Sequence, residues 1–98
     1  MTMSTRFTVS NVLGSSSGDF YRNITSWERV VELAEYYWDR RDSGQTGGVR
    51  IFARHTSIAS FVGAYCRCAP SAWEFNLRSK YGRALQAALR NRIAKSAD

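Results

Sequence analysis

The spacing of apolar residues from position 25 to position 41 predicts an amphipathic helix. Apolar side chains recur there at steps of three and four residues, and acidic residues fall on the opposite face. Thr25 and Glu28 have the spacing of a capping box, in which two side chains satisfy backbone N–H groups at a helix start. Arg40 and Arg41 stand at the predicted C-terminal end, where the helix dipole favours positive charge.

Two other segments alternate between apolar and polar residues, which predicts short strands. Residues 6–13 place Phe7 and Val9 on one face, and a flexible Gly/Ser loop follows at 14–19. Residues 49–55 place Val49, Ile51 and Ala53 on one face. Their other face carries Arg50, Phe52 and Arg54.

Helical spacing also predicts two helices in the second half of the chain, over residues 57–66 and 71–95. In the second of these, apolar residues recur at every fourth position from Trp73 to Leu89. The stretch 72–78 also alternates as a strand would. We assign it to the helix because more apolar residues share the helical register than the strand register.

These elements predict a single compact domain, residues 1–98, of the α+β class and mostly helical. Strands at about 6–13 and 49–55 pair and carry helices at about 25–41, 57–66 and 71–95 on one face. Ninety-eight residues suffice for one hydrophobic core. The predicted core residues are Phe7, Val9, Trp27, Val30, Val31, Ala34, Tyr37, Trp38, Val49, Ile51, Phe61, Val62, Leu77, Tyr81, Leu85 and Leu89.

The charge of the chain is unevenly distributed. Residues 1–49 hold five basic and six acidic side chains, whereas residues 50–98 hold nine basic and two acidic ones. A basic half-chain favours association with a polyanion. The sequence has neither an apolar run of about 18 residues nor a secretion signal, so we expect a cytoplasmic protein that makes no contact with a membrane.

The basic residues of two predicted elements form the candidate contact surface. At about 100° per residue, three cations of the last helix share the side away from its apolar stripe. In the second strand, an aromatic ring stands between two arginines, an arrangement that can stack a base between phosphate contacts. The candidate residues are Arg50, Phe52, Arg54, Lys80, Arg83 and Arg90.

Each half of this surface also has a purely structural explanation. The helix could present an ordinary solvated face. The strand could be an edge strand that charge protects against unwanted pairing. The two halves act together only if the polar face of the strand and the outer face of the helix open on the same side.

No motif for catalysis, a cofactor or a metal stands out. Cys66 and Cys68 are separated by one residue, and His55 is the only histidine. Zinc sites usually need four ligands in wider cysteine pairs. A Cys–His nucleophile would also need an orienting group and an oxyanion site. We therefore expect a protein that is not an enzyme and binds neither metal nor cofactor.

The sequence favours a small binding protein that contacts nucleic acid through its basic C-terminal half. The alternative is an inhibitor of the kind that phages encode, anti-CRISPR-like, which binds and blocks a host complex that handles nucleic acid. In that case the same cations would contact an acidic protein patch. The acidic face of the first helix could also pair with the basic last helix in a homodimer.

Overall fold

The computed structural model describes residues 5–11, 21–42, 48–63 and 72–96. They form a five-stranded antiparallel sheet and two helices. The elements are β1 (Phe7–Asn11), β2 (Tyr21–Ile24), α1 (Trp27–Asp39), β3 (Val49–Ala53), β4 (Thr56–Phe61), β5 (Glu74–Phe75) and α2 (Lys80–Ser96). The strand order across the sheet is β2-β1-β3-β4-β5, so β3 is the central strand. The α+β class is correct, but the prediction of a mostly helical protein with two strands is wrong.

Both helices pack on one face of the sheet, where the hydrophobic core lies. Phe7 of β1 contacts Trp27 of α1 and Tyr81 of α2, with ring centroids 5.4 and 5.1 Å apart. At the other end of the core, Trp38 of α1 meets Phe61 of β4 edge to face at 5.3 Å. These contacts join both helices to the sheet through aromatic rings, which bury large areas and add specific ring geometry.

Most residues of the predicted core are buried or packed against it. Leu77 is the clear exception, because its side chain is 53% exposed. It lies in the turn that precedes α2, so it is not part of the helix whose spacing predicted its burial. Ile58 and Ala59, which were not on the predicted list, are 0% and 2% exposed.

The helix predicted over 25–41 is present as α1, with a different N-cap. Ser26 caps it, and its hydroxyl accepts a hydrogen bond from the backbone N–H of Arg29 at 3.2 Å. The capping box predicted from Thr25 and Glu28 therefore begins one residue before the N-cap that the structure shows. At the other end, Arg40 and Arg41 donate to the carbonyls of Tyr36 and Trp38 at 3.0 and 2.8 Å, which satisfies acceptors of the last turn.

The helix predicted over 57–66 is wrong, because residues 56–61 form strand β4. β4 pairs with β3 in a hairpin whose register shifts between Ile51 and Phe52. This irregularity lets Ile58 and Ala59, adjacent in sequence, both be buried. The resulting buried positions 58, 59 and 61 resemble one turn of a helix, although a β-bulge produces them. Residues 64–66 of the predicted helix lie outside the described part of the chain.

The helix predicted over 71–95 begins only at Lys80, after strand β5. Asn76 follows β5 and ties its end to β4, because its backbone N–H donates to the carbonyl of Ile58 at 2.8 Å and its side-chain amide donates to that of Ser57 at 3.0 Å. Ser79 then starts α2, since its hydroxyl accepts a hydrogen bond from the N–H of Tyr81 at 3.2 Å. From there the predicted register holds, with Leu85 and Leu89 buried.

The predicted strands are present in shorter form as β1 and β3, and β2 was not predicted. β2 is a four-residue edge strand that contains Asn23 with a φ of 58°, so it shows no alternation of buried and exposed residues. The predicted loop at 14–19 lies outside the described residues. Neither helix, as far as the structure describes them, has the length and apolar composition that crossing a bilayer requires.

Candidate nucleic-acid interface

The central strand places Arg50 and Phe52 on the sheet face that is opposite the helices. Along β3, Val49, Ile51 and Ala53 are buried, Arg50 is exposed and Phe52 is half-buried. Successive side chains of a strand point to opposite faces. The strict alternation predicted for this segment therefore describes the strand correctly.

Small hydroxyl side chains surround these two residues on the same face. Phe52 pairs with Thr8 of β1 and with Ser57 of β4. Arg50 pairs with Ser10 of β1 and with Ser60 of β4. We call this surface the open face; it consists of Thr8, Ser10, Arg50, Phe52, Ser57, Ser60 and Glu74, which pairs with Ser60 from β5. The two side chains that pair with Phe52, those of Thr8 and Ser57, are small, and its ring remains partly exposed.

Arg54 lies beside the open face, in the turn of the β3–β4 hairpin. Its φ of 58° is left-handed, a conformation that glycine and asparagine adopt more easily than arginine. Its backbone N–H donates to the carbonyl of Arg6 at 2.8 Å, which ties the turn to the start of β1. The side chain is exposed and lines a cavity of about 450 Å³ together with Arg78 and Ser79.

Lys80, Arg83 and Arg90 are all exposed on α2, as their helical spacing predicts. The guanidinium of Arg83 donates to the carbonyl of Leu77 at 2.7 Å, so it holds the turn before the helix. The ammonium of Lys80 lies 5.2 Å from the ring centroid of Tyr81. Both cations keep further donors available to solvent, because each side chain carries several N–H groups.

The structure does not bring all six candidates to one surface. α2 packs on the core face through Leu85 and Leu89, so its cations lie on the helix side of the sheet, where Arg90 borders a groove beside Phe75. Arg50 and Phe52 point away from the sheet on the other side. The two groups therefore lie on opposite sides of the molecule, and Arg54 lies at the sheet end near the start of α2.

The other chemical candidates form no site in the described structure. Cys66 and Cys68 lie outside the described residues. His55 is exposed in the hairpin turn beside Arg54. The described ranges contain no group of three or more His, Cys, Asp or Glu side chains that could hold a metal ion. On the acidic face of α1, Glu32 forms an ion pair with Arg29.

No family model, no curated protein and no solved structure matches this chain. A functional proposal therefore depends on the geometry of the molecule itself.

The sequence does not predict two features of the polar surface, one on the open face and one in the cavity beside Arg54. Ser57 and Ser60 were assigned to a helix, and only pairing with β3 places them beside Phe52 and Arg50. Arg78 was assigned to the same long helix as Arg83, whereas it lies in a turn and shares a cavity with Arg54. The alternation of residues 73–77 indicates strand β5, and with it a later start of α2 that leaves Arg78 outside the helix.

Proposed function

We propose that this protein is a small non-enzymatic binding protein that contacts single-stranded nucleic acid through the open face. The observation that carries the proposal is the position of Arg50 and Phe52 on the central strand. β3 pairs with β1 on one side and β4 on the other. Its charge therefore does not protect a free sheet edge, which was the competing explanation for these residues.

Phe52 and its neighbours provide the contacts that an unpaired base needs. Single strands are bound by aromatic rings on exposed sheet faces, because every base has a flat face that can stack. The ring of Phe52 is half-buried, so it is held in place and still presents surface. The hydroxyls of Thr8 and Ser57 beside it can bond sugar or phosphate oxygens.

Arg50 supplies the positive charge for a phosphate on the same face. It lies two residues before Phe52 on β3, a spacing of roughly 7 Å along a strand, which matches the reach of one extended nucleotide. Among the described residues of the open face, Glu74 carries a negative charge. It lies on β5, two strands away from β3. Two strand spacings are about 10 Å, close to the Debye length at 0.1 M salt, so salt weakens its repulsion of phosphate without removing it.

The test is a titration of labelled single-stranded and duplex oligonucleotides, followed by fluorescence anisotropy at about 50 mM salt, where phosphate contacts are strong. We expect micromolar or tighter binding of the single strand. Phe52→Ala should weaken it by about 1–3 kcal/mol, the value of one stacked base. Tyr36→Ala is the matched control, because Tyr36 is an exposed aromatic residue on α1, 46% exposed, away from the open face.

Absence of binding at micromolar protein and low salt would contradict the proposal, as would an equal loss in the Phe52 and Tyr36 variants. In that case the inhibitor hypothesis becomes the leading one. A pull-down from host lysate with and without nuclease then tests it, because a protein partner retained after nuclease treatment does not depend on nucleic acid.

A further inference from the structure

A second site lies on the helix side of the molecule, at the edge of the sheet. It is a groove of about 400 Å³ between the end of α1, the β5 segment and α2. Pockets for small molecules span about 300–1,000 Å³, so this volume fits a small ligand. We call it the aromatic groove; its lining includes Trp38, Trp73, Phe75, Gln86, Leu89 and Arg90.

Three aromatic rings line one side of the groove, of which Trp73 and Phe75 are stacked and Trp38 is tilted against Trp73. The centroids of Trp73 and Phe75 are 5.8 Å apart at an interplanar angle of 21°. Those of Trp38 and Trp73 are 6.0 Å apart at 31°. Leu89, which is 2% exposed, contributes to the apolar lining. Such a wall favours a flat, apolar ligand that can lie against the rings.

One charged group gives the groove a chemical preference. Arg90 is exposed and lines the groove, and no acidic residue is among the described lining residues. A guanidinium binds a carboxylate through two parallel N–H donors. The groove therefore favours a ligand that carries negative charge.

We propose that the aromatic groove binds a small planar aromatic carboxylate. Its ring lies against Trp73 and Phe75, and its carboxylate is held by the guanidinium of Arg90. The groove is separate from the open face, because Phe75 pairs with buried Ala59 and so points to the core side of the sheet. This site is therefore independent of the proposed nucleic-acid binding.

The experiment titrates the full chain with 2-naphthoate and follows the three tryptophan indole N–H resonances in a ¹H–¹⁵N spectrum. Trp→Phe variants assign the resonances. We expect saturable shifts for Trp73 and Trp38. Trp27 is an internal reference, because it packs against Phe7 at the other end of α1. Neutral 2-naphthamide should bind about three- to fivefold more weakly, the effect of one exposed charge pair.

Variants separate the contribution of the charge from that of the aromatic rings. Arg90→Gln should weaken 2-naphthoate about three- to fivefold, whereas Arg83→Gln, an equal loss of charge outside the groove, should leave it unchanged. Trp73→Ala removes the ring that lies between Trp38 and Phe75, so it should weaken binding about tenfold. Arg90 is exposed, so its variant remains informative if Trp73→Ala does not fold.

Several results would overturn the proposal. These are a titration without saturation at millimolar 2-naphthoate, equal shifts for all three tryptophans, and cyclohexanecarboxylate binding as tightly as 2-naphthoate. An Arg90→Gln variant that binds like the wild type would also overturn it. Shifts of Trp38 and Trp73 that follow protein concentration rather than ligand concentration would instead identify a second copy of the chain as the occupant.

Discussion

Gly82 of α2 lies directly against the backbone carbonyl of Asn76, the residue after β5. A Cβ atom at position 82 would overlap the carbonyl oxygen and come within 2.9 Å of the carbonyl carbon of Asn76. It would also lie 3.1 Å from the carbonyl oxygen of Ile58 on β4. The first turn of α2 therefore approaches the backbone of β4 and of the residue after β5, which only a residue without a side chain permits.

This contact predicts that Gly82→Ala destabilises the protein. Helix propensity alone would stabilise the variant by about 1 kcal/mol. Overlap with backbone atoms that cannot rotate away should outweigh that gain and cost about 1–3 kcal/mol net. Urea unfolding measures the difference. Ala87→Gly, at an exposed position of the same helix, is the control and should lose about 1 kcal/mol by propensity. A Gly82→Ala variant more stable than the wild type would refute the close approach.

A pair of leucine substitutions tests where α2 begins. Leu85 is fully buried, so Leu85→Ala should cost about 2–5 kcal/mol. Leu77 is 53% exposed in the preceding turn, so Leu77→Ala should change stability by no more than about 0.5 kcal/mol. Denaturant melts compare the two variants. A continuous helix from residue 71 would instead bury both leucines and make the two losses similar.

The hairpin turn predicts a substitution that stabilises. Arg54 holds a left-handed φ of 58°, which costs a non-glycine residue about 1–2 kcal/mol. Asparagine tolerates this conformation better, so Arg54→Asn should raise stability by up to about 1 kcal/mol. His55→Asn, at the neighbouring turn position, where φ is not positive, should bring no gain. Thermal melts of both variants make the comparison, and a loss of stability in Arg54→Asn would contradict the turn geometry.

The separation of the basic residues into two surfaces predicts different salt dependences. For a short single strand bound to the open face, Arg50→Gln should flatten the plot of log affinity against log salt by about 0.7, one phosphate contact. Arg83 lies on the opposite side of the sheet, so Arg83→Gln should leave that slope unchanged. Salt titrations with an oligonucleotide of about six nucleotides measure both. A slope that flattens in Arg83→Gln and stays unchanged in Arg50→Gln would show that the strand binds on α2 instead.

The sequence alone determined the elements whose pattern is local. α1 has a regular apolar stripe because one side of the helix packs on the sheet along its whole length. β3 alternates strictly because the sheet has a core face and an open face. The same alternation places Arg50 and Phe52 together on one polar face, so the sequence alone specifies the centre of the candidate interface.

Only the tertiary structure decided the rest, because the deciding contacts join residues that are distant in sequence. The bulge against β3 gives β4 a buried pattern that resembles a helical turn. The start of α2 depends on Asn76, whose partners Ser57 and Ile58 belong to β4. The division of the cations into two surfaces depends on which face of the sheet the helices cover. A periodic pattern specifies which side of an element is buried, whereas the element that covers that side is set by long-range packing.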